Sequence, residues 1–188
     1  MISLQDFEDT GALLTGHFRL SSGLHSDRYL QCARLLMWPE RAEKAGQALA
    51  ERLSEFSPRL IVSPALGGII IGHETARALK VPFLFAERQD GVFAVRRGFR
   101  LESGQPVAVV EDVFTTGKST REVIETVSGL GARVVAAGSI VNRGLAPGAF
   151  TVPSRSLLAL EAPAWPEAEC PLCRRRVPLE TPGSRHTT

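Results

Sequence analysis

At 188 residues the chain has room for one domain with a real core, and for a small appendage. Hydrophobic content of 44% and charged content of 22% lie in the ordinary globular range, and a net charge of +2 gives no ground for nucleic-acid binding. No apolar stretch approaches the roughly 20 residues of a membrane span, and the start, MISLQDFEDT, lacks the basic n-region and apolar core of a signal peptide. The expectation is therefore a soluble, cytoplasmic protein with no nucleic-acid or membrane partner.

In chain order, residues 1–16 read as a short amphipathic helix with Leu4, Phe7, Leu13 and Leu14 on its apolar side. Residues 18–37 read as extended, with a Ser-Ser-Gly turn in the middle. From Pro39 to Phe56, Ala42, Ala45, Leu49, Leu53 and Phe56 recur at helical spacing, and Pro39 suits a first helical turn. RLIVS (59–63) is a short buried strand, PALGG a loop, and Ile69 to Leu79 the next helix. VPFLFAE (81–87) is strand-like, and the Asp-Gly of RQDGVFAVRRGF signals a hairpin turn.

QPVAVVED (105–112) is apolar on both faces, as a strand inside a parallel sheet must be. A helical stripe follows through Thr120, Val123, Ile124, Val127 and Leu130, with Gly131 as its C-terminal stop. Residues 133–143 and 156–161 read as further strands, and the Pro- and Arg-rich tail from Pro163 as a surface wrap. Alternating strands and helices predict an α/β fold with a mostly parallel central sheet flanked by helices. In such sheets ligands sit beyond the carboxyl ends of strands. Loops 63–68, 111–119 and 142–148 all lie at such ends, which points to one composite site.

The stretch VAVVEDVFTTGKST (107–120) carries the chemistry. Gly117, Lys118 and Ser119 fit the end of a nucleotide P-loop, but the first glycine of that pattern falls on Asp112, and no G-x-G-x-x-G occurs here. What remains is a strand ending in Glu111 and Asp112, then a turn of hydroxyls, a glycine and a helix start. Free amides and a helix N-terminus favour one phosphate. Two carboxylates would repel that phosphate, so they should face a hydrogen-bond donor a few ångströms away. A vicinal diol fits, and the ligand is then a ribose 5-phosphate unit. The plain alternative is a capped helix with two unrelated acids.

These residues resemble the phosphoribosyl-diphosphate motif of the type I phosphoribosyltransferases. That resemblance implies a donor, 5-phosphoribosyl 1-diphosphate (PRPP), a base as acceptor and Mg²⁺, with Glu111, Asp112, Val113, Phe114, Thr115, Thr116, Gly117, Lys118 and Ser119 at PRPP. Mg²⁺ would be held mainly by the substrate, with Glu111 and Asp112 as the available protein ligands. Further segments resemble the orotate phosphoribosyltransferases of a short-loop bacterial branch. LSSGLHSDRYLQCA (20–33) is similar to their N-terminal hood. SPALGGIIIGHETARAL (63–79) is similar to their pyrophosphate loop, with Ala65, Leu66, Gly67 and Gly68 at PRPP. FAERQDGVFAVRRGF (85–99) is similar to their mobile catalytic loop, and CPLC with PLETPGSR (178–185) to their C-terminal end. The resemblance places Thr115 and Arg143 at orotate, and a planar Arg fork suits a carboxylate.

The implied architecture is a single type I phosphoribosyltransferase domain over 1–188. Residues 1–38 with parts of 142–188 form the hood, 39–141 the core and 85–99 a mobile hairpin. It also implies a homodimer in which the hairpin reaches the partner's site. The implied reaction is transfer of ribose 5-phosphate to orotate, giving orotidine 5′-monophosphate in pyrimidine biosynthesis. Transfer to another base, or a non-catalytic PRPP- or nucleotide-binding regulator, are the alternatives. The chain departs from the family pattern in one respect: its three lysines are Lys44, Lys80 and Lys118, so loop 85–99 has neither lysine nor histidine. Arg88, Arg96 and Arg97 are its positive charges, and Arg is a poor proton donor. A hood lysine of the family falls at about Ser21.

Cys32, Cys170 and Cys173 are the cysteines. CPLC supplies two thiols, half of a tetrahedral metal site, with no second such pair after it. It reads as a turn with two thiols, as part of a disulfide with Cys32 as a possible partner, or as a zinc site completed by Cys32, His186 or a second subunit.

Overall fold

A computed structural model describes residues 2–20 and 22–182; Ser21 and residues 183–188, including His186 and the end of PLETPGSR, lie outside the described residues. Helix α1 (Leu4–Asp9) leads into strands β1 (Leu13–Arg19) and β2 (His25–Leu30). Then come α2 (Cys32–Leu36), α3 (Pro39–Leu53), β3 (Leu60–Pro64), α4 (Gly68–Leu79), β4 (Phe83–Gln89) and β5 (Val92–Val95). The second half holds β6 (Pro106–Phe114), α5 (Lys118–Gly129), β7 (Arg133–Asn142), β8 (Ser154–Ala159), β9 (Ala164–Trp165) and α6 (Pro171–Arg174).

The central sheet has the order β5-β4-β3-β6-β7-β8, parallel throughout except for the β4–β5 hairpin. Its strands are apolar on both faces because both faces are covered. Ile61, Ala108, Val110, Ala136 and Ile140 pack towards α3 and α4, where Ala45, Leu49, Leu53 and Ile71 are fully buried. The intervening residues Leu60, Val62, Val107, Val109 and Ala137 pack towards Val123, Ile124 and Val127 of α5. The alternation of side chains along each strand thus divides one apolar run between two cores.

Helix α3 crosses α4 at Gly46, where an added Cβ would stand 2.5 Å from Glu74 Cβ and 2.6 Å from its backbone carbon. Gly46→Ala should therefore destabilise the protein by about 1–3 kcal/mol, since overpacking exceeds the roughly 1 kcal/mol gained in helix propensity. The urea midpoint would measure it; an unchanged midpoint would mean that the helices separate freely.

Several sequence expectations need correction. Residues 1–16 are not one helix. Helix α1 stops at Thr10, Gly11 turns at φ +62°, and Leu13 and Leu14 enter β1, pairing with Leu30 and Tyr29 of β2. Cross-strand pairing overrides a helical spacing that only four leucine and phenylalanine positions supported. Residues 18–37 are not wholly extended, since 32–36 form α2, burying Cys32, Leu35 and Leu36. The tail does more than wrap the surface. Strand β9 pairs with β2 and completes a second, three-stranded sheet, and Cys170 and Leu172 are buried. Strand β6 also runs past the two acids to Phe114, β8 begins two residues early, and Leu130 is half exposed rather than part of the buried stripe. Among the described residues no helix is long and apolar enough to cross a membrane.

Candidate active site

Strand β3 connects outward through α4 to β4, while its neighbour β6 connects in the opposite direction through α5 to β7. The chain order therefore reverses between β3 and β6. A crevice opens beyond the carboxyl ends of strands at such a switch point. Loop 65–67 follows β3 and loop 115–117 follows β6, so two of the three loops flagged in the sequence lie at this switch point.

The 115–117 turn is shaped by what lies beneath it. Gly117 has φ +71°, and a Cβ there would meet Leu145 and Phe150 at 2.8 Å each. Glycine is thus required both by backbone and by space. Phe150 packs edge-on to Phe114 at 5.0 Å between ring centroids. Arg121 donates its amide to Gly117 O, so the amides of Lys118, Ser119 and Thr120 precede the first helical hydrogen-bond donor. They face a pocket of about 140 Å³ lined by Glu111, Val113 and residues 115–120. A helix N-terminus with hydroxyls around it attracts one anion.

Strand parity sends the two acids in different directions. Glu111 lines the same pocket as the turn and accepts a hydrogen bond from Thr120 Oγ1 at 3.2 Å. Asp112 accepts the Val113 amide at 2.8 Å and faces the other loop, where a Cβ on Gly67 would stand 2.9 Å from its Oδ2. The expectation that both acids avoid the phosphate turn thus holds for Asp112 only. Charge explains how Glu111 can stay there. Burial, then the neighbouring Asp112, pushes its carboxyl up to about 8, so near neutral pH it carries little charge to repel a phosphate. Burial also raises Asp112 above the ordinary carboxylate range, against the hydrogen bond from Val113.

Across the crevice, Ala65 and Leu66 are joined by a cis peptide, Leu66 is 83% exposed, and Gly67 and Gly68 lead into α4. Gly68 lies so close to β6 that a Cβ would be 2.9 Å from Val110 O. Arg143, just after β7, donates its backbone amide to Phe114 O at 2.8 Å, which ties the third loop to the end of β6. Asn142 Oδ1 accepts the Leu145 amide at 2.8 Å and shapes that loop. The Arg143 guanidinium is partly buried, which lowers its pKa, and Tyr29 on β2 opposes that shift. A half-buried guanidinium near a phenol, with no ion pair among the described residues, is a place for an anionic, planar group.

The hairpin arginines are disposed less simply. The Asp90–Gly91 turn has φ +51° and +86°, the pattern of a two-residue hairpin turn. Arg88 pairs with Glu122 at 2.5 Å and lies 4.2 Å over the Phe93 ring. Arg97 holds Glu87 with two hydrogen bonds, of 2.6 and 3.0 Å. Arg96 is exposed and makes no ion pair among the described residues. Phe93 is buried and its carbonyl accepts the Thr126 hydroxyl, so the strands of the hairpin are anchored to α5.

Tyr29 and Thr120 take part in this site although neither stood out as a site residue in the sequence. Thr120 was legible as the end of the phosphate turn and as a helix-stripe position, but not as the partner of Glu111. Tyr29, the one tyrosine, lay in a hairpin whose partner surface the sequence does not specify.

Residues 31–148 match the family model of the phosphoribosyl transferase domain. The chain is 51% identical over 178 residues to the orotate phosphoribosyltransferase of Thermotoga maritima, covering 95% of each chain. It is 46% identical over 182 residues to that of Caldicellulosiruptor bescii, covering 97% of this chain and 96% of the relative. Among solved structures, the orotate phosphoribosyltransferase of Aeropyrum pernix superposes with a TM-score of 0.73 at 28% identity, over 83% of this chain and 92% of that one.

Proposed function

The chain belongs to the phosphoribosyltransferase family, on its orotate branch, and we infer that it transfers ribose 5-phosphate from PRPP to orotate, giving orotidine 5′-monophosphate and diphosphate in pyrimidine biosynthesis. One observation carries the reading beyond family membership. An anion-binding turn, two partly buried carboxylates, a glycine loop and a half-buried arginine meet at one switch point.

The 5′-phosphate docks on the amides and hydroxyls of Thr115, Thr116, Gly117, Lys118, Ser119 and Thr120. Glu111 and Asp112 hold the ribose hydroxyls, and the diphosphate lies against Ala65, Leu66, Gly67 and Gly68 at the start of α4. The backbone of Val113 and Phe114 sets the register between the two halves. As the C1–O bond breaks, positive charge builds on the ribose ring and the carboxylates oppose it. Orotate N1 adds at C1 from the opposite face, so no side-chain nucleophile is needed. Arg143 holds the orotate carboxylate with its planar fork, and Thr115 lies beside the base.

Among the described residues Asp112 Oδ2 and Glu111 Oε1 remain uncommitted to internal hydrogen bonds, and two hard oxygen donors fit Mg²⁺. Bound largely by substrate oxygens, Mg²⁺ would neutralise the diphosphate. Arg88, Arg96 and Arg97 supply the remaining positive charge for its departure. Arg96 is free to do so as it stands, whereas Arg88 and Arg97 must leave Glu122 and Glu87. The exposed segment 96–100 and the hairpin tip are the parts that close, in a homodimer over the partner's site. The small sheet of β1, β2 and β9 with the tail forms the hood over the base.

Loss of orotate absorbance with PRPP and Mg²⁺, repeated with hypoxanthine, adenine and uracil, tests the acceptor. Turnover of another base with none of orotate would overturn it. Arg143→Ala should raise KM for orotate about 10–100-fold, the worth of a charged hydrogen-bond pair, and KM for PRPP far less. Equal effects on both substrates would remove Arg143 from the base site.

A further inference from the structure

Away from the crevice, His17 on β1, His25 on β2, and Cys170 and Cys173 at α6 converge. Their ligating atoms all lie within 4.8 Å of one another. His17, His25 and Cys170 are buried and Cys173 is partly exposed. His17 Nε2 is 3.0 Å from His25 Nδ1, 3.5 Å from Cys170 Sγ and 3.6 Å from Cys173 Sγ, and His25 Nδ1 is 3.2 Å from Cys173 Sγ.

Hydrogen bonding alone does not satisfy this cluster. His17 Nδ1 lies 2.8 Å from Val177 O, and a carbonyl only accepts, so Nδ1 carries the proton. Nε2 then turns inward with at most one lone pair, towards three groups at once. One lone pair serves one donor well, but a cation at the centre satisfies all four groups. The four separations just given are also close to those of a zinc site. With Zn–N of about 2.0–2.1 Å and Zn–S of about 2.3 Å, a tetrahedron has edges of about 3.3 Å between nitrogens and about 3.5 Å between nitrogen and sulfur. The bond from His17 to the Val177 carbonyl is the outer support that metal-binding imidazoles usually have.

We propose that His17, His25, Cys170 and Cys173 bind one zinc ion in a closed tetrahedral site. Two thiolates and two imidazoles in this geometry select zinc over the hard cations. Binding expels both thiol protons to solvent. All four positions belong to the protein, so the ion has no open position for substrate and its role is structural. The cysteines are free thiols, not a disulfide.

The place of the ion explains its use. Strands β2 and β9 share two residue pairs, and Phe18 meets Glu180 through a single bridge. Those are weak ties between the N-terminal hairpin and the tail. The ion clamps them together, and with them the hairpin that carries Tyr29 towards Arg143. Cys32 is not a ligand: its thiol lies 4.0 Å from Asp112 O, at the crevice. The C-x-x-C half was legible in the sequence. The other half was not, because His17 stands 153 residues from Cys170 and was joined to it only by the fold.

Metal analysis of the full-length protein, purified under reducing conditions without added metal, should find one zinc per chain. Exchange with Co²⁺ should give visible tetrahedral d–d bands and a thiolate charge-transfer band in the near ultraviolet. Cys173→Ser should remove that band, while Cys32→Ser should keep it. Stripping the ion should lower the thermal midpoint by about 10 °C or more. If Cys173→Ser fails to fold, the Co²⁺ spectrum of the unaltered chain still decides. A protein that holds no zinc and gives no charge-transfer band on Co²⁺ addition overturns the proposal. So does a Cys170–Cys173 disulfide in the reduced preparation, or a metal content unchanged in Cys173→Ser.

Discussion

Asp112→Asn should lower kcat/KM for PRPP by about 10²-fold or more, the cost of one strong transition-state contact. The substitution keeps volume and shape, so the Val113 amide and the close packing against Gly67 stay in place. What disappears is a negative charge beside the sugar. Ground-state hydrogen bonding to a hydroxyl needs no charge, whereas the cationic ribose of the transition state does. The loss should therefore fall on kcat as well as on KM. Initial rates of orotate consumption at varied PRPP measure both. Near-normal kinetics would dissociate Asp112 from the ribose and return the acid pair to the status of ordinary strand-end residues.

The parts of this fold that could be read directly are those whose physics is local or fully enclosed. Strands β3, β6 and β7 announce themselves as continuous apolar runs because helices cover both their faces. Helix α3 shows its buried stripe over four turns, long enough for the period to be unambiguous. The first 37 residues resist such reading. Leu13 and Leu14 continue the spacing of α1, and only pairing with β2 decides that they belong to a strand. The tail is similar: a two-residue strand and one helical turn are set by their neighbours, not by their own sequence. The site divides in the same way. The phosphate turn and the acids lie within one short stretch and were legible together. That Glu111 and Asp112 face opposite walls follows from strand parity once β6 is known to extend through them to Phe114. The contribution of Tyr29 and the meeting of two histidines with CPLC depend on long-range contacts that no spacing encodes.

Glu111→Gln should separate stability from activity as a function of pH. The Glu111 carboxyl is raised from 4.5 in the unfolded chain to about 8 in the folded one, by burial first and by Asp112 second. Between those values the native state holds the extra proton, so folding stability is lost as pH rises from about 4.5 to 8. Glutamine ends that loss. The variant should match the parent near pH 4.5 and exceed it by roughly 2–4 kcal/mol at pH 8.5, a rise in melting temperature of about 5 °C or more. Activity should move the other way. In the parent, kcat/KM for PRPP reports the free enzyme and should show a rising limb with an apparent pKa near 8, as the carboxylate that opposes ribose charge forms. Asp112→Asn removes the like charge beside Glu111 and should shift that limb to lower pH, while Glu111→Gln abolishes it. A variant no more stable than the parent at pH 8.5, with the limb intact, would show that Glu111 titrates as an ordinary carboxylate.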